Sequence, residues 1–187
     1  MKFEPIKVQL KNGQKVEIRQ GQVEDADNML VFMKETFRNT EFLLVDEDEF
    51  NMTVEQETAW LKNFDANPTS LFLVATYENM IIGNIGIHGN NYRKMKHTAS
   101  LGISLSKQWQ GVGLGSIMMK EAIKWVKEQT LLKFLWIEVY SANRVAFAMY
   151  IKLGFMEVGR MKGYIKLSGG YCDKILMSLN LSYYICL

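Results

Sequence analysis

Residues 109–125 read WQGVGLGSIMMKEAIKW, with Gly111, Gly113 and Gly115 at alternate positions running directly into an amphipathic helix. Leu114, Met118, Ala122, Trp125 and Val126 share one side of that helix, and Ser116, Lys120, Lys124 and Lys127 share the other. Glycine is entropically costly, and neither proline nor a polar cap marks this helix start. Bare backbone at the positive end of a helix leaves N–H groups with no intrahelical partner. The stretch HTASLGISLS before it reads as a strand, and FLWIEVY after it reads as another. The glycines therefore open a strand–helix–strand crossover, which commits the chain to a sheet with at least one parallel connection.

The rest of the chain fits around that unit. VEIRQGQ is a first strand, and EDADNMLVFMKETFRN a helix with Ala26, Met29, Leu30, Met33 and Phe37 on one face. TVEQETAWLKNF is a second helix, opened by a Thr53–Gln56 capping box and burying Trp60 and Phe64. SLFLVATY, a turn at ENM and IIGNIGIHG form a β-hairpin. Asn143 caps a short helix, NRVAFAMYIKL, which Gly154 ends, and FMEVGRMKGYI and GYCDKILMSLNL are the closing strands. The order βααβββαβαββ implies an α/β (α+β) fold. Its centre is a mixed, mostly antiparallel sheet of about six to seven strands with helices on both faces. With two prolines and no low-complexity tract, residues 1–187 read as a single domain.

Composition removes several function classes. A formal charge of +2, with no basic helix or aromatic-interleaved basic run, argues against nucleic acid. No apolar run is long enough to span a membrane, and MKFEPIKVQLKNG lacks a signal-peptide core, so a cytoplasmic soluble protein is expected. Cys172 and Cys186 make neither a disulfide framework nor a metal site. His88 and His97 have no acid or cysteine cluster beside them, so no metal is expected and both read as solvent-facing. The run Arg93, Lys94, Lys96 reads as a solvated turn.

Three ligand readings of the glycines compete with a fourth, a tight strand-to-helix turn that holds nothing. A mononucleotide P-loop needs lysine after its last glycine, and Ser116 stands there instead. A dinucleotide fingerprint needs G-x-G-x-x-G after a first strand; here the pattern is G-x-G-x-G and a meander precedes it. The remaining reading is a pyrophosphate on bare amides, with Gly111 to Ser116 aiming successive N–H groups at phosphate oxygens.

Gln110-Gly111-Val112-Gly113-Leu114-Gly115 resembles the Q/R-x-x-G-x-G/A motif of the GNAT superfamily of N-acetyltransferases. IEVYSANRVAFAMYIKLGF resembles that family's second signature, a strand, an asparagine and a helix ending Y-x-K-L-G-F. The resemblance implies the GNAT fold and acetyl-coenzyme A as cosubstrate, bound through Gln110, Gly111, Val112, Gly113, Leu114, Gly115 and Ser116. It also implies that the pantetheine arm pairs beside Ile103, Ser104 and Leu105, and that Asn143 touches the coenzyme as well as capping its helix.

Amide formation from a thioester needs a neutral amine, a polarised carbonyl and a proton for the leaving thiolate. Tyr150 lies two helical turns after Asn143, on a face with Ala146, Met149 and Leu153, and its phenol keeps an O–H at neutral pH. In the family a tyrosine at this place protonates the thiolate; a core tyrosine bonded elsewhere is the competing reading. Glu138 is the candidate proton acceptor. It shares one side of FLWIEVY with Phe134, Trp136 and Tyr140, and desolvation among aromatic rings should raise its pKa. Bacterial ribosomal-protein N-terminal acetyltransferases resemble this pattern, with a glutamate five residues before the asparagine. Many other relatives carry the glutamate one strand earlier, where Ser100 stands here, so a structural carboxylate or a water relay stays open.

Between Thr40 and Leu61, Glu41, Asp46, Glu47, Asp48, Glu49, Glu55 and Glu57 occur without a lysine or arginine in the acidic part of the run. In GNAT proteins this region walls the acceptor site, and a negative wall attracts an ammonium substrate. A solvated acidic loop anchored by Phe42, Leu43, Leu44 and Phe50 is the alternative. The resulting expectation is an acetyl-coenzyme A-dependent transferase acting on a primary amine: a small amine, an amino compound or a peptide N-terminus. A catalytically silent acyl-coenzyme A-binding domain is the alternative. The apolar tail Tyr183–Leu187 would pack on the core or on a partner chain, as in a homodimer.

Overall fold

The computed structural model describes residues 2–128 and 131–182, so the apolar tail from Tyr183 lies outside the described residues. In chain order the strands are β1 (Ile6–Gln9), β2 (Lys15–Gln20), β3 (Leu71–Tyr77), β4 (Met80–Gly89), β5 (Thr98–Leu105), β6 (Phe134–Tyr140), β7 (Met156–Leu167) and β8 (Gly170–Asn180). The helices are α1 (Ala26–Asn39), α2 (Val54–Ala66), α3 (Leu114–Glu128) and α4 (Arg144–Lys152). The strands form one sheet in the order β1-β2-β3-β4-β5-β6-β8-β7, with β5 and β6 the parallel pair.

The class and element order are those expected, with one strand more than the upper count. The addition is β1. Ile6 and Val8 pair with Ile18 and Val16 across a turn closed by Leu10 N–H to Gln14 O at 2.8 Å. Asn12-Gly13 makes that turn, and Gly13 takes φ +83°, which is the short-range signature of a hairpin.

Two apolar layers cover the sheet. On one face α3 buries Leu114, Met118, Met119 and Ala122 against Ile85, Ile87, Leu101, Leu135 and Ile137. On the other face α1 and α2 bury Ala26, Met29, Phe32, Leu61 and Phe64 against Phe72 and Val74. Each fully buried Leu, Ile, Val, Met or Phe among them contributes about 1.5–3 kcal/mol. The buried stripe of α1 is Ala26, Met29, Phe32 and Thr36, rotated from the expected one; Leu30, Met33 and Phe37 are half-buried. Thr36 tolerates the interior because its hydroxyl donates to Phe32 O at 2.7 Å. Arg19 grips Asp25 through both guanidinium nitrogens, at 2.7 and 2.6 Å, fixing the entry of α1 to β2.

The capping box of α2 is present, with Thr53 N–H donating to Gln56 Oε1 at 2.8 Å and Gln56 N–H to Thr53 Oγ1 at 3.3 Å. Phe64 is buried as expected, whereas Trp60 is only half-buried and packs edge-on against Phe64 and Phe72.

Candidate active site

The site begins as a defect in the sheet. β5 pairs with β6 only over Thr98–Ser100 and Phe134–Trp136. Beyond that point β5 follows β4 as far as Leu105, and β6 follows β8 as far as Tyr140. A wedge opens between them, and the β6-facing edge of β5 from Leu101 to Leu105 is left without a ladder partner among the described residues. Such an edge is a template for another extended chain. Ile103, Ser104 and Leu105 lie on it.

A cavity of about 380 Å³ occupies the wide part of the wedge. One wall is β5 at Leu101–Ser104; the other is β6 at Ile137–Tyr140, continued by Asn143 and Tyr150. Met29 and Met33 of α1 and Glu57 and Trp60 of α2 also line it. Gly86 and Gly102 are direct cross-strand partners and both line this cavity, so the sheet presents bare backbone there. A side chain on Gly102 would meet nothing within 4 Å, which confirms open space above it.

The open end of the wedge, past Leu105, meets the glycine-rich turn, where the three glycines have different causes. Gly111 and Gly113 take φ +75° and +95°, a left-handed backbone that favours glycine. Gly115 is helical, and its missing side chain lets α3 approach β5: a Cβ there would come within 3.2 Å of Leu105 Cδ1. The first helical bond of α3 runs from Ile117 N–H to Gly113 O at 3.1 Å, which leaves the amides of Leu114, Gly115 and Ser116 as the unpaired start of the helix. Gln110 Nε2 donates to Leu105 O at 3.2 Å and ties the turn to the end of β5.

Lys11, in the β1–β2 turn, is a contributor that sequence reading missed. Its N–H donates to Val112 O at 3.1 Å. In a trans peptide the C=O and the following N–H point in opposite directions, so this bond aims the Gly113 N–H away from the hairpin. The Lys11 side chain also lies against Gly113, about where a Cβ would contact its methylenes at 3.6 Å. The signal was the Asn12-Gly13 turn between two alternating runs.

Tyr150 is 4% exposed and lines the cavity; burial pushes its phenol above the ordinary tyrosine range. Its hydroxyl has no hydrogen-bond partner among the described residues. Asn143 caps α4, its Oδ1 accepting from Ala146 N–H at 3.1 Å, and it also lines the cavity. Glu138 lines the cavity from the expected side of β6, beside Tyr140, but it is exposed rather than enclosed by the aromatic rings. Its side chain is 42% exposed and pairs with Lys174 Nζ of β8 at 2.7 Å. The cross-strand neighbour, not the flanking aromatics, sets its surroundings.

The environment expected of Glu138 occurs instead at Glu57. That residue is 4% exposed, and burial raises its carboxyl pKa above the ordinary range. The other carboxylates of the acidic run are more exposed, and several are held by contacts of their own. Glu41 accepts from the Ser168 hydroxyl at 2.7 Å, Glu47 pairs with Arg38, and Asp46 and Glu49 cap a turn. Phe42, Leu43 and Phe50 line the cavity and anchor the loop, while Leu44 is 84% exposed. His88 has an exposed edge, as expected, yet it also lines the cavity and lies 4.6 Å from the Phe64 ring. Packing there lowers its pKa by desolvation.

A parallel strand pair joined through a glycine-opened helix is the strand–helix–strand crossover expected from the sequence, and the splay of the pair is what the structure adds. The family model described as "Acetyltransferase (GNAT) family" matches residues 36–155, well over half of the chain. The chain belongs to the GNAT acetyltransferase family. It is 26% identical over 119 residues to the L-amino acid N-acetyltransferase of Escherichia coli (strain K12), covering 64% of this chain and 74% of that protein. It is 24% identical over 116 residues to the ribosomal protein uS5-alanine N-acetyltransferase of the same organism, covering 62% of this chain. The match takes in 54% of that relative, so the chain spans about half its length.

Solved GNAT structures share the architecture. An acetyltransferase of the GNAT family from Streptococcus pneumoniae superposes with a TM-score of 0.84 at 26% identity, covering 88% of this chain and 99% of that one. The yncA protein of Salmonella typhimurium, solved with its cofactor acetyl-CoA, superposes with a TM-score of 0.78 at 16% identity. The latter covers 90% of this chain and 95% of that one, and shares its fold. Among the described residues no helix is long and apolar enough to cross a membrane.

Proposed function

We propose that the protein, as one domain over residues 1–187, transfers an acetyl group from acetyl-coenzyme A directly to a primary amine within a ternary complex. The observation that carries this reading is the continuity of the wedge. The free edge of β5 and the buried phenol border one cavity, and the bare-amide helix start is tied to the end of that same edge through Gln110 and Leu105. The site fits the coenzyme chemically. Gly111 and Gly113 keep the turn free of side chains, so phosphate oxygens could approach the amides of Gly111 to Ser116 closely. The free edge of β5 at Ile103, Ser104 and Leu105 suits the amide groups of a pantetheine arm. Gln110 and Asn143 hold the two ends of the binding region in place.

When bound, acetyl-coenzyme A supplies a thioester carbon that the amine attacks and a sulfur that leaves with the bonding electrons. Glu138 receives the first ammonium proton, and its partial exposure passes that proton to water. Lys174 Nζ, 2.7 Å from the Glu138 carboxylate, holds that side chain in position. Tyr150 Oη gives its proton to the departing sulfur, and the proton shed by the nitrogen on forming the amide restores the phenol. The raised pKa keeps Tyr150 protonated where the amine is partly neutral. No cysteine lines the cavity among the described residues, which supports direct transfer over an acyl-enzyme.

The test is incubation with acetyl-coenzyme A and a panel of primary amines, following free thiol and the mass of the product. Thiol release matched by acetylated amine is expected. Coenzyme binding without amine-dependent thiol release from any acceptor would overturn the reading.

A further inference from the structure

Glu57 is a buried carboxylate that the fold does not use. It is 4% exposed, lines the cavity from the α2 side, and has no hydrogen-bond or ion-pair partner among the described residues. Burying a carboxyl without a partner is costly, so a compensating ligand is the economical explanation for its retention. Around it the cavity is apolar and aromatic, with Trp60, Phe42, Phe50 and Met29 among the lining side chains. Neither lysine nor arginine lines the cavity among the described residues. The nearby cation Lys174 is already held by Glu138 at 2.7 Å.

We infer that Glu57 binds the ammonium group of the acceptor, and that the acceptor is an arylalkylamine with no carboxylate beside its amine. The inference rests on the acetyltransferase reading and names the acceptor class for that same site. Glu57 supplies the counter-charge on entry, and Trp60 and the neighbouring rings receive the apolar substituent, with cation–π attraction from the indole. An α-carboxylate would enter a cavity that holds Glu57 and Glu138 and offers no lining cation, so repulsion and desolvation both oppose it.

The experiment measures calorimetric binding of 2-phenylethylamine, L-phenylalaninamide and L-phenylalanine to protein saturated with coenzyme A, for the wild type and Glu57→Gln. A thermal melt of each protein verifies folding, and thiol release from acetyl-coenzyme A is followed in parallel. The two carboxylate-free amines should bind the wild type, and L-phenylalanine should bind at least about 10-fold more weakly. Glu57→Gln should weaken 2-phenylethylamine by about 10- to 100-fold and leave coenzyme affinity unchanged.

Equal wild-type affinity for 2-phenylethylamine and L-phenylalanine would overturn the inference, as would a folded Glu57→Gln protein that binds both amines normally. Failure of 2-phenylethylamine to bind the wild type, or preference for a peptide N-terminus regardless of Glu57, would overturn it as well. Efficient acetylation of L-phenylalanine would sink the inference while acetyl transfer stands. Glu57-dependent amine binding without any thiol release would support the inference and count against acetyl transfer alone.

Discussion

Gly113 separates a structural role from a binding role more cleanly than any other position in the turn. Its φ of +95° means that Gly113→Ala incurs backbone strain, about 1–2 kcal/mol for a left-handed residue bearing a Cβ. The added methyl meets Lys11 at 3.6 Å, ordinary contact, so no clash adds to that cost. For a chain of this size the strain lowers Tm by roughly 2–8 °C. Gly113→Glu carries the same strain together with a charge. A carboxylate about 5 Å from one phosphate charge, at an effective dielectric near 20, adds about 3 kcal/mol of repulsion. That corresponds to at least about 100-fold in affinity. Thermal melts and calorimetry with acetyl-coenzyme A are the assays, with Gly113→Lys as the control that keeps strain and bulk but reverses the charge. The alanine and glutamate variants should melt within a few degrees of each other, while coenzyme binding is lost only in the glutamate variant. Equal coenzyme affinity in Gly113→Glu and Gly113→Ala would refute the phosphate role of this turn.

Tyr150→Phe removes only the hydroxyl from a buried ring, so turnover should fall roughly 10²–10⁴-fold with coenzyme affinity and Tm nearly preserved; full activity would remove the phenol from the mechanism. Glu138→Gln should slow turnover most at low pH, where the amine still has to lose its proton, with the deficit closing near the amine's own pKa. A deficit equal at every pH would make Glu138 structural. Glu57 has a folded pKa above its unfolded value, so the folded state binds its proton more tightly and stability falls as pH rises between the two. The penalty is complete above the folded pKa and absent below the unfolded one. Glu57→Gln should therefore raise the Tm of the ligand-free protein at pH 8, and the gain should fade as pH drops into the ordinary carboxylate range. A Tm gain unchanged between pH 8 and pH 4 would contradict that linkage.

The parts of this account legible in the chain were those carried by local pattern. The Thr53–Gln56 box, the Asn143 cap and the alternation along FLWIEVY all depend on residues within a few positions of each other, and all three occur in the structure. β1 was equally local, with two alternating runs about Asn12-Gly13, but at four residues it is too short for its alternation to stand out from a loop. Charge environment was not local. The aromatic neighbours of Glu138 suggested desolvation, yet Lys174 reaches it from a strand much later in the chain. Glu57 lay within an acidic run that reads as solvated surface, and only the packing of α2 over the sheet turns it inward. The three glycines looked like one motif, whereas backbone angle explains two of them and α3–β5 packing explains Gly115.

The most direct test is a crystal structure of the protein with acetyl-coenzyme A. The pyrophosphate should sit within about 2.7–3.2 Å of amides between Gly111 and Ser116, with the pantetheine arm along Ile103, Ser104 and Leu105. Tyr150 Oη should lie within about 3–3.5 Å of the thioester sulfur. A coenzyme bound outside the β5–β6 wedge, or a Tyr150 hydroxyl turned away from the sulfur, would contradict the account.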